Sequence, residues 1–379
     1  MRASTGKDGI DRFIVCVTRL CNNKCFFCYS GRERKKDELI PTGEILNFIR
    51  LLKRDSVAES RMLIITGGEP TIHPDLPDIV REAKRCGYEA VRIISNGRML
   101  ANENLVITLK EAGLDDIVFS LHSHIKEDFE KIAGVEGSYV QSLKGLLNVR
   151  KYGIRFSINI VVNRINYKTL SETVRFFISL GVRDIHLFQV QPFGSSWKTD
   201  GYPLSPPEEA YAYFQKVFSL PIPEGVHIET NKIPEYYLEN FEQYIGEPRK
   251  FEDNILGRYP ELSAYVSGAE KISCKGPRCK LCYFQDYCND LEWVMSGRIL
   301  KRREVPRCIK TPISGKGATL RKNEGFALEA FTDFYMRHRH FVKSLRCKEC
   351  IYFSKCDGAW IEDVRAGGFK IMKPVVEKK

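Results

Sequence analysis

The sequence has no long apolar run. No segment of its 379 residues approaches the roughly 18 apolar residues that a membrane-spanning helix requires. The first 30 residues contain neither the hydrophobic region nor the cleavage site of a secretory signal. Low-complexity segments and recognisable nucleic-acid-binding motifs are absent as well. These absences predict a cytoplasmic protein that has no membrane partner.

Cysteine, by contrast, is frequent. The 13 cysteines occur in a chain with 43% hydrophobic and 28% charged residues, a composition typical of a soluble globular protein. A reducing compartment keeps thiols free, so we do not expect a disulfide framework. Clustered cysteines in such a chain usually bind metal. The composition therefore predicts metal sites.

Positive charge is concentrated in the last third of the chain. Residues 251–379 contain 25 Lys and Arg against 16 Asp and Glu, which accounts for most of the net charge of +11. This uneven distribution predicts a second domain with its own electrostatic role. The basic run at 298–307 has two open interpretations: recognition of an acidic partner, or a solvated surface.

Strand-like and helix-like segments alternate along the first 190 residues. Four of the helix-like stretches end in a glycine, which provides the left-handed residue that stops a helix: Gly87, Gly113, Gly153 and Gly181. The alternation predicts βαβ units and a parallel sheet. The predicted strands are 13–17, 62–65, 90–94, 117–121, 156–162 and 185–190.

Six such units predict the fold class, an α/β partial (β/α)6 barrel, and the cysteines of the last third predict a C-terminal cysteine-rich domain after it. The loops after the strands meet at one rim of such a sheet, where the active site lies. Polar or glycine-rich segments follow every predicted strand. The predicted domains are the barrel at 1–200, a helical linker at 201–265 with helices at 208–218 and 233–245, and the cysteine-rich domain at 266–379.

Three cysteines follow the first predicted strand with the spacing C-x3-C-x2-C, namely Cys21, Cys25 and Cys28. A structural zinc site takes four ligands, often as paired CxxC motifs, and this spacing fits it poorly. A [4Fe–4S] cluster held by three thiolates leaves one iron open to a cofactor or substrate. Thiolates bind zinc and iron–sulfur clusters alike, so the donor type alone does not decide between them.

A second motif, GGEP at 67–70, follows the second predicted strand. Together with the cysteine loop, in which the aromatic Phe27 precedes the last cysteine, it resembles the radical S-adenosylmethionine (SAM) superfamily over residues 10–200. The resemblance implies that Cys21, Cys25 and Cys28 hold a [4Fe–4S] cluster whose open iron chelates SAM. It further implies that one electron cleaves SAM to methionine and a 5′-deoxyadenosyl radical, which abstracts a substrate hydrogen.

The resemblance also implies which residues contact SAM. Phe27 would pack beside the adenine. The GGEP residues Gly67, Gly68, Glu69 and Pro70 would bind the methionine amino group, because glycines permit close backbone approach and Glu69 can pair with the ammonium.

Other implied SAM contacts lie near the ends of the later strands. Ser120 matches a serine that contacts SAM at the end of the fourth strand. Asn159 and Gln189 are inferred from the inward alternation on the fifth and sixth strands. The full set is Ser95, Asn96, Ser120, His122, Lys131, Asn159 and Gln189.

Two of these positions depart from the family pattern. Relatives often carry Asp where His122 stands, and many carry Arg where Lys131 stands; Lys supplies the charge without the bidentate fork. Simpler interpretations stay open. Asn96 and Gly97 could form only a tight turn, and His122 and His124 could be solvent-facing loop residues.

The C-terminal third repeats one cysteine spacing. C-x2-C-x5-C occurs at 279–288 and again at 347–356, and two further cysteines stand apart from these groups. Eight cysteines suffice for two four-cysteine [4Fe–4S] clusters, and zinc is the alternative. The predicted ligands are Cys274, Cys279, Cys282, Cys288, Cys308, Cys347, Cys350 and Cys356.

This region resembles the SPASM/twitch extensions that carry auxiliary clusters in radical SAM enzymes. It departs from the full SPASM pattern because no cysteine follows Cys356. The fourth ligand of the last cluster would then come from Cys308 or Cys274; otherwise one iron would stay open to bind substrate. Basic residues beside the ligands would offset the negative charge of the clusters.

The resemblance implies oxidative modification of a peptide or protein, as in maturases of ribosomally synthesised peptides (RiPPs). The alternative is a small-molecule enzyme of cofactor, haem or nucleoside biosynthesis, and a remote alternative is a non-enzymatic iron–sulfur electron carrier. An electron donor such as flavodoxin or ferredoxin is an implied partner. Because the first predicted strand begins near residue 12, we also expect either a separate leader-binding protein or none. No residue stands out as a general base.

Overall fold

The computed structural model describes residues 3–5, 10–28, 39–54, 60–192, 194–195, 207–247, 251–252, 254–255, 258–304, 306, 308–309 and 318–376. The chain divides into two compact units, Met1–Glu229 and Thr230–Lys379. The three predicted domains remain a prediction, and parts of the predicted linker, 201–206, 248–250, 253 and 256–257, lie outside the described residues. None of the described helices is long and apolar enough to cross a membrane.

The first unit is built on a sheet whose strands follow one another in chain order. A short antiparallel strand at one edge precedes six parallel strands, each joined to its neighbour in register. This confirms the partial barrel and its six predicted strands. The strands are β1 (Ala3–Thr5), β2 (Ile10–Thr18), β3 (Ser60–Gly67), β4 (Ala90–Ser95), β5 (Asp116–Ser120), β6 (Arg155–Val162), β7 (Asp184–Gln189) and β8 (His227–Asn231).

Helices connect the parallel strands. The four predicted helix stops, Gly87, Gly113, Gly153 and Gly181, all have φ between +65° and +94°, the left-handed region that glycine adopts most readily. The predicted helix at 208–218 is also confirmed. The helices are α1 (Thr42–Arg54), α2 (Leu76–Arg85), α3 (Glu103–Glu111), α4 (Lys126–Ala133), α5 (Ser138–Lys151), α6 (Leu170–Ser179) and α7 (Pro207–Phe218).

The barrel core consists of apolar side chains in register on neighbouring strands. Val15 pairs with Ile65, Ile65 with Ile93, and Ile93 with Ile117, and all four are buried. Each such side chain contributes about 1.5–3 kcal/mol when it leaves water. Because side chains alternate along a strand, Ser95, two residues after Ile93, shares its face and is also buried.

The second unit contains small hairpins, short helices and an aromatic core. The Phe251 ring lies within 5.7 Å of the rings of Phe284, Tyr287 and Tyr335. The elements are α8 (Tyr259–Val266), α9 (Gln285–Met295), β9 (Leu300–Lys301), β10 (Thr319–Leu320), α10 (Leu328–His338), β11 (Phe341–Val342), β12 (Ala359–Trp360) and α11 (Ile361–Gly367). β9 pairs with β10 and β11 with β12, both antiparallel.

The helix predicted at 233–245 is wrong. Two 3-10 turns, Glu235–Leu238 and Glu242–Tyr244, occupy this segment. Asn240 lies between them with φ of 72°, a left-handed conformation that interrupts any helix. The Glu239 carboxylate meanwhile accepts hydrogen bonds from Ser344 Oγ at 2.7 Å and Arg346 Nε at 2.6 Å. These tertiary contacts outweigh the helical spacing of the apolar residues.

Candidate functional site

The three-cysteine loop directly follows β2 at the rim of the barrel. The thiols of Cys21, Cys25 and Cys28 are half-buried, and Cys28 N donates to Cys25 O at 3.1 Å, which closes a turn between two of them. Lys24 N donates to Ala133 O at 2.8 Å and ties the loop to the end of α4. The fold therefore presents all three sulfurs from one braced loop.

The GGEP segment supports this loop from the next strand. Gly68 N donates to Thr18 O at 2.7 Å, and Glu69 N donates to Leu20 O at 2.8 Å. A Cβ atom on Gly68 would stand 2.0 Å from Leu20 O, and one on Gly67 would stand 2.3 Å from Thr18 O. Glycine is required here because the two backbones touch. The motif thus shapes the base of the cysteine loop.

Glu69 joins the ends of β3 and β4. Its Oε1 accepts from Thr71 N at 3.1 Å, Thr71 Oγ1 at 2.5 Å and Ser95 Oγ at 2.7 Å, and its Oε2 accepts from Asn96 N at 2.7 Å. The side chain is 1% exposed. Burial raises the pKa of Glu69, although the four donors oppose this shift. Glu69 therefore fixes the relative position of two rim loops.

Asn96 brings the β4 loop to the cysteines. Its Nδ2 donates to Asn22 Oδ1 at 2.7 Å and lies 4.0 Å from Cys21 Sγ. Asn96 and Gly97 do form a tight turn, since Arg98 N donates to Asn96 Oδ1 and Gly97 has φ of +81°. Asn96 therefore both forms a tight turn with Gly97 and lies at the cysteine loop.

Arg98 is a residue that the sequence analysis missed. Its guanidinium donates to the backbone oxygen of Asn22 and, at 3.1 Å, to Asn23 Oδ1, both within the cysteine loop. Its Nε donates to Gln141 Oε1 on α5 at 2.7 Å. In the sequence, the only feature that could have pointed to Arg98 was its position as a basic residue directly after the SNG turn. Arg98 thus holds the middle of the cysteine loop, while the GGEP segment holds its start.

His122 is buried, so the solvent-facing interpretation is wrong for this residue. Burial lowers its pKa to about 4, which keeps the ring neutral near pH 7. Its Nδ1 accepts from Val161 N at 3.2 Å, so the proton resides on Nε2. The ring lies 5.0 Å from the Phe27 ring in an edge-to-face arrangement. His124 is half-buried and contacts Thr173 Oγ1 at 2.9 Å.

The remaining predicted SAM contacts are less closely grouped. Ser120 and Asn159 stand opposite each other in the β5–β6 register, and both are half-buried. Gln189 ends β7, and its Oε1 is buried without a hydrogen-bond donor among the described residues. Lys131 is exposed on α4. The SAM-binding roles of these four residues remain predictions.

In the second unit, the thiols of Cys274, Cys282 and Cys288 lie near a buried arginine. The Arg258 guanidinium, which is 3% exposed, donates to Cys274 Sγ. Burial raises the pKa of Cys282 to about 11 and that of Cys288 to about 12, and each is also raised by the neighbouring Cys274. Cys279 lies beside Cys282 across a short turn closed at 2.9 Å. We call Cys274, Cys279, Cys282 and Cys288 the first thiol set.

The other four cysteines form a separate group. Burial raises the pKa of Cys347, and the thiols of Cys308, Cys356 and Cys350 add to this shift. A 3-10 turn, Leu345–Glu349, presents Cys347, and Cys350 N closes onto Cys347 O at 3.0 Å. Cys308, rather than Cys274, thus joins this group. We call Cys308, Cys347, Cys350 and Cys356 the second thiol set.

Backbone donors point at the sulfurs of both sets. Gly276 N lies 3.3 Å from Cys279 Sγ, Gly358 N lies 3.3 Å from Cys356 Sγ, and Val375 N lies 3.3 Å from Cys350 Sγ. Such donors stabilise thiolate and cluster charge. In the described part of the chain, no three His, Cys, Asp or Glu side chains converge on the position of one metal ion. A [4Fe–4S] cluster instead takes each thiolate on a different iron.

Comparison with known proteins identifies related sequences. The model of the Radical SAM superfamily matches residues 15–177. A probable GTP 3′,8-cyclase from Saccharolobus islandicus is 34% identical over 182 residues, which are 48% of this chain and 57% of that protein. The chain therefore spans little more than half of that relative. A probable GTP 3′,8-cyclase from Sulfurisphaera tokodaii is 31% identical over 233 residues, 61% of this chain and 71% of that protein.

Solved structures give weaker matches. Streptococcus suis SuiB bound to precursor peptide SuiA is 19% identical, with a TM-score of 0.48, covering 58% of this chain and 48% of that one. Native anSMEcpe with bound AdoMet is 16% identical, with a TM-score of 0.46, covering 55% and 59%. The family match and the 71% coverage of the Sulfurisphaera relative show that the chain belongs to the radical SAM superfamily.

Proposed function

We propose that this protein uses radical SAM chemistry to modify a peptide or protein oxidatively. The observation that supports the proposal is the grouping of eight cysteines of the second unit into two sets of four. The thiols within each set act electrostatically on one another, and short backbone turns join Cys279 to Cys282 and Cys347 to Cys350. Four thiolates satisfy all four irons of a [4Fe–4S] cluster. Neither auxiliary cluster would then offer an open iron to a substrate. This favours a role in handling electrons, which an oxidative reaction requires.

The barrel residues fit a SAM-binding cluster. Cys21, Cys25 and Cys28 would hold it, and their three soft donors suit iron–sulfur ligation with one iron left for SAM. When bound, the cluster supplies the electron that cleaves SAM. The chain's own contribution is positional: the backbone of Glu69 and the guanidinium of Arg98 both bond to the cysteine-loop segment.

The wall formed by Phe27 and His122 would bind the nucleoside part of SAM. The two rings meet edge to face at 5.0 Å, and neutral His122 carries its proton on Nε2. An apolar ring beside a neutral donor suits a purine, which stacks on aromatic faces and accepts hydrogen bonds. The buried Gln189 Oε1 would accept a hydrogen bond from a bound ligand.

A small-molecule reaction is the second candidate. It is favoured by the relatives, which are named probable GTP 3′,8-cyclases. The family model, however, matches only residues 15–177 and leaves the two thiol sets of the second unit outside the match. The second unit would decide the substrate, and the match to the family model does not extend to it.

Substrate-dependent release of 5′-deoxyadenosine tests the two candidates. The anaerobically reconstituted protein would be reduced with dithionite and supplied with SAM plus either peptides encoded beside the gene or GTP and other nucleotides. We expect a peptide to stimulate release and to lose hydrogen, as measured by mass spectrometry. Stimulation by a nucleotide alone would reject the peptide proposal. The C21A/C25A/C28A variant is the control and should release none.

A further inference from the structure

A row of polar side chains crosses one face of the barrel sheet. In the register of β5, β6 and β7, Ser120 stands opposite Asn159, and Asn159 stands opposite His186. β8 continues the sheet beyond β7, and Glu229 Oε2 on β8 lies 3.3 Å from His186 Nδ1. All four residues belong to the first unit. We call Ser120, Asn159, His186 and Glu229 the polar row.

The polar row lies on the open face of the sheet. Side chains alternate along a strand, so Ile185 and Leu187, on either side of His186, point to the other face, where they are at most 1% exposed. The His186 and Glu229 side chains are 29% and 34% exposed. Alternation and register also place Ile14 of β2 on the face of the polar row. Ile14 is 48% exposed although β2 has a strand on each side, so this face is accessible to a ligand.

The row begins at the predicted SAM site. Ser120 and Asn159 are both predicted SAM contacts. His122, two residues after Ser120, packs against Phe27 of the cysteine loop with 5.0 Å between the ring centres. Neighbouring strands lie about 4.8 Å apart, so His186 is about 10 Å across the sheet from Ser120. His186 thus lies one strand beyond the predicted SAM contacts, where a substrate held beside SAM would meet it.

His186 differs from two other histidines of the first unit in what its ring faces. His122 accepts from Val161 N, and burial lowers its pKa to about 4, which makes it a weak base near pH 7. His73 contacts backbone groups through both ring nitrogens. The Nδ1 atom of His186 instead faces the carboxylate of Glu229. A carboxylate in this position keeps the imidazole proton on Nδ1 and stabilises the imidazolium that forms when Nε2 takes up a second proton.

We propose that His186 accepts the proton that the substrate loses, and that Glu229 is its positioning residue. The inference rests on the proposed function, because it assigns one step of an oxidative reaction. The substrate group that it implies is a carbon–hydrogen group whose carbon also carries an O–H, N–H or S–H group, since only such a group has a proton to give to a base.

The step balances in atoms and electrons. The carbon–hydrogen bond breaks first, and its hydrogen atom leaves as part of 5′-deoxyadenosine. The proton of the adjacent O–H, N–H or S–H group then passes to Nε2 of His186. One electron passes to a one-electron acceptor of the iron–sulfur class, and a double bond forms between the carbon and its heteroatom. Glu229 offsets the positive charge that His186 gains.

The amount of oxidised product per 5′-deoxyadenosine tests the role of His186. The reconstituted holoenzyme would be reduced with dithionite and supplied with SAM and the peptides encoded beside the gene. His186→Ala should release 5′-deoxyadenosine within about threefold of wild type, because hydrogen abstraction precedes the proton transfer. It should form at least about tenfold less product per 5′-deoxyadenosine. Added imidazole should restore product about fivefold or more, since a small base can replace the missing ring at an accessible site.

Nitrogen NMR of the ¹⁵N-histidine-labelled holoenzyme tests Glu229 without substrate or turnover. The His186 signal is the one that H186A lacks. In the wild type it should show the proton on Nδ1, and in Glu229→Gln the proton should move at least partly to Nε2, because an amide no longer favours a donor at Nδ1. E229Q should also form about tenfold less product per 5′-deoxyadenosine. The matched control is His227→Asn, an exposed histidine two residues before Glu229 on β8, which should match wild type in both measurements.

Several outcomes would overturn the inference. They are a normal product yield in H186A, a lowered yield that imidazole does not restore, and a wild-type His186 with its proton on Nε2. Normal peptide-stimulated release with a normal product yield in H186A would reject the inference alone. Release stimulated by a nucleotide and by no peptide would reject the proposed function, and this inference with it.

Discussion

Protonation of His122 should destabilise the protein below pH 6.5. The ring is 5% exposed, and burial lowers its pKa from 6.5 to about 4. The unfolded chain therefore takes up a proton at a higher pH than the folded chain does. The part of the unfolding free energy that depends on a neutral His122 is fully present above pH 6.5 and is lost as the pH falls towards 4. The difference between the two pKa values corresponds to about 3 kcal/mol of unfolding free energy in all, of which about 2 kcal/mol is lost by pH 5.

His122→Asn provides the comparison. An Asn side chain offers Oδ1 in place of Nδ1 and can still accept from Val161 N, but it does not titrate. Urea unfolding under anaerobic conditions at pH 7.5, 6.5 and 5 would give the free energy of unfolding of each protein. Between pH 7.5 and 5 the wild type should lose about 2 kcal/mol more than the variant.

His124→Asn is the matched control on the same loop. Its side chain is half-buried and contacts Thr173 Oγ1, and the variant keeps His122 intact. It should therefore show the wild-type loss of stability. If wild type and H122N instead lose stability in parallel, burial does not lower the pKa of His122 and the reasoning is refuted.

Three further substitutions test the site. Gly68→Ala places a Cβ 2.0 Å from Leu20 O and should cost about 3 kcal/mol or more in thermal unfolding, whereas Gly43→Ala, with nothing within 4 Å, should be neutral or slightly stabilising. Cys308→Ser should lower iron by about four atoms per chain in a colorimetric assay; an unchanged iron content would show that Cys308 is not a ligand. Glu69→Gln turns an amide N–H towards a donor such as Asn96 N and should lower the unfolding free energy by about 1–3 kcal/mol; an unchanged value would contradict the role of Glu69 as the link between the two rim loops.

Much of the fold follows from the sequence alone. The alternation of apolar strands and amphipathic helices has a short period, so each strand of the barrel could be located from its own neighbourhood. The glycines at 87, 113, 153 and 181 mark helix ends for an equally local reason, since a left-handed residue is needed there. The three-cysteine loop and GGEP were recognisable because their residues are adjacent in the chain.

Predictions from the local spacing of apolar residues were wrong where contacts between distant parts of the chain determine the structure. Segment 233–245 has the apolar period of a helix, yet Glu239 bonds to Ser344 and Arg346, more than 100 residues away in the chain, and Asn240 turns left-handed. His122 is likewise buried beside Phe27, a residue of a different loop. No periodicity in the sequence contains that information.

The sequence by itself determined which residues are cysteines and that they repeat one spacing. Only the tertiary structure decided how they group. Cys308 lies nearer in sequence to Cys288 than to Cys347, yet its thiol lies beside Cys347, and Arg258 among the thiols of the first set was not foreseen. The reason is physical: which sulfurs share a site depends on the path of the chain between them, and that path is set by packing over the whole unit.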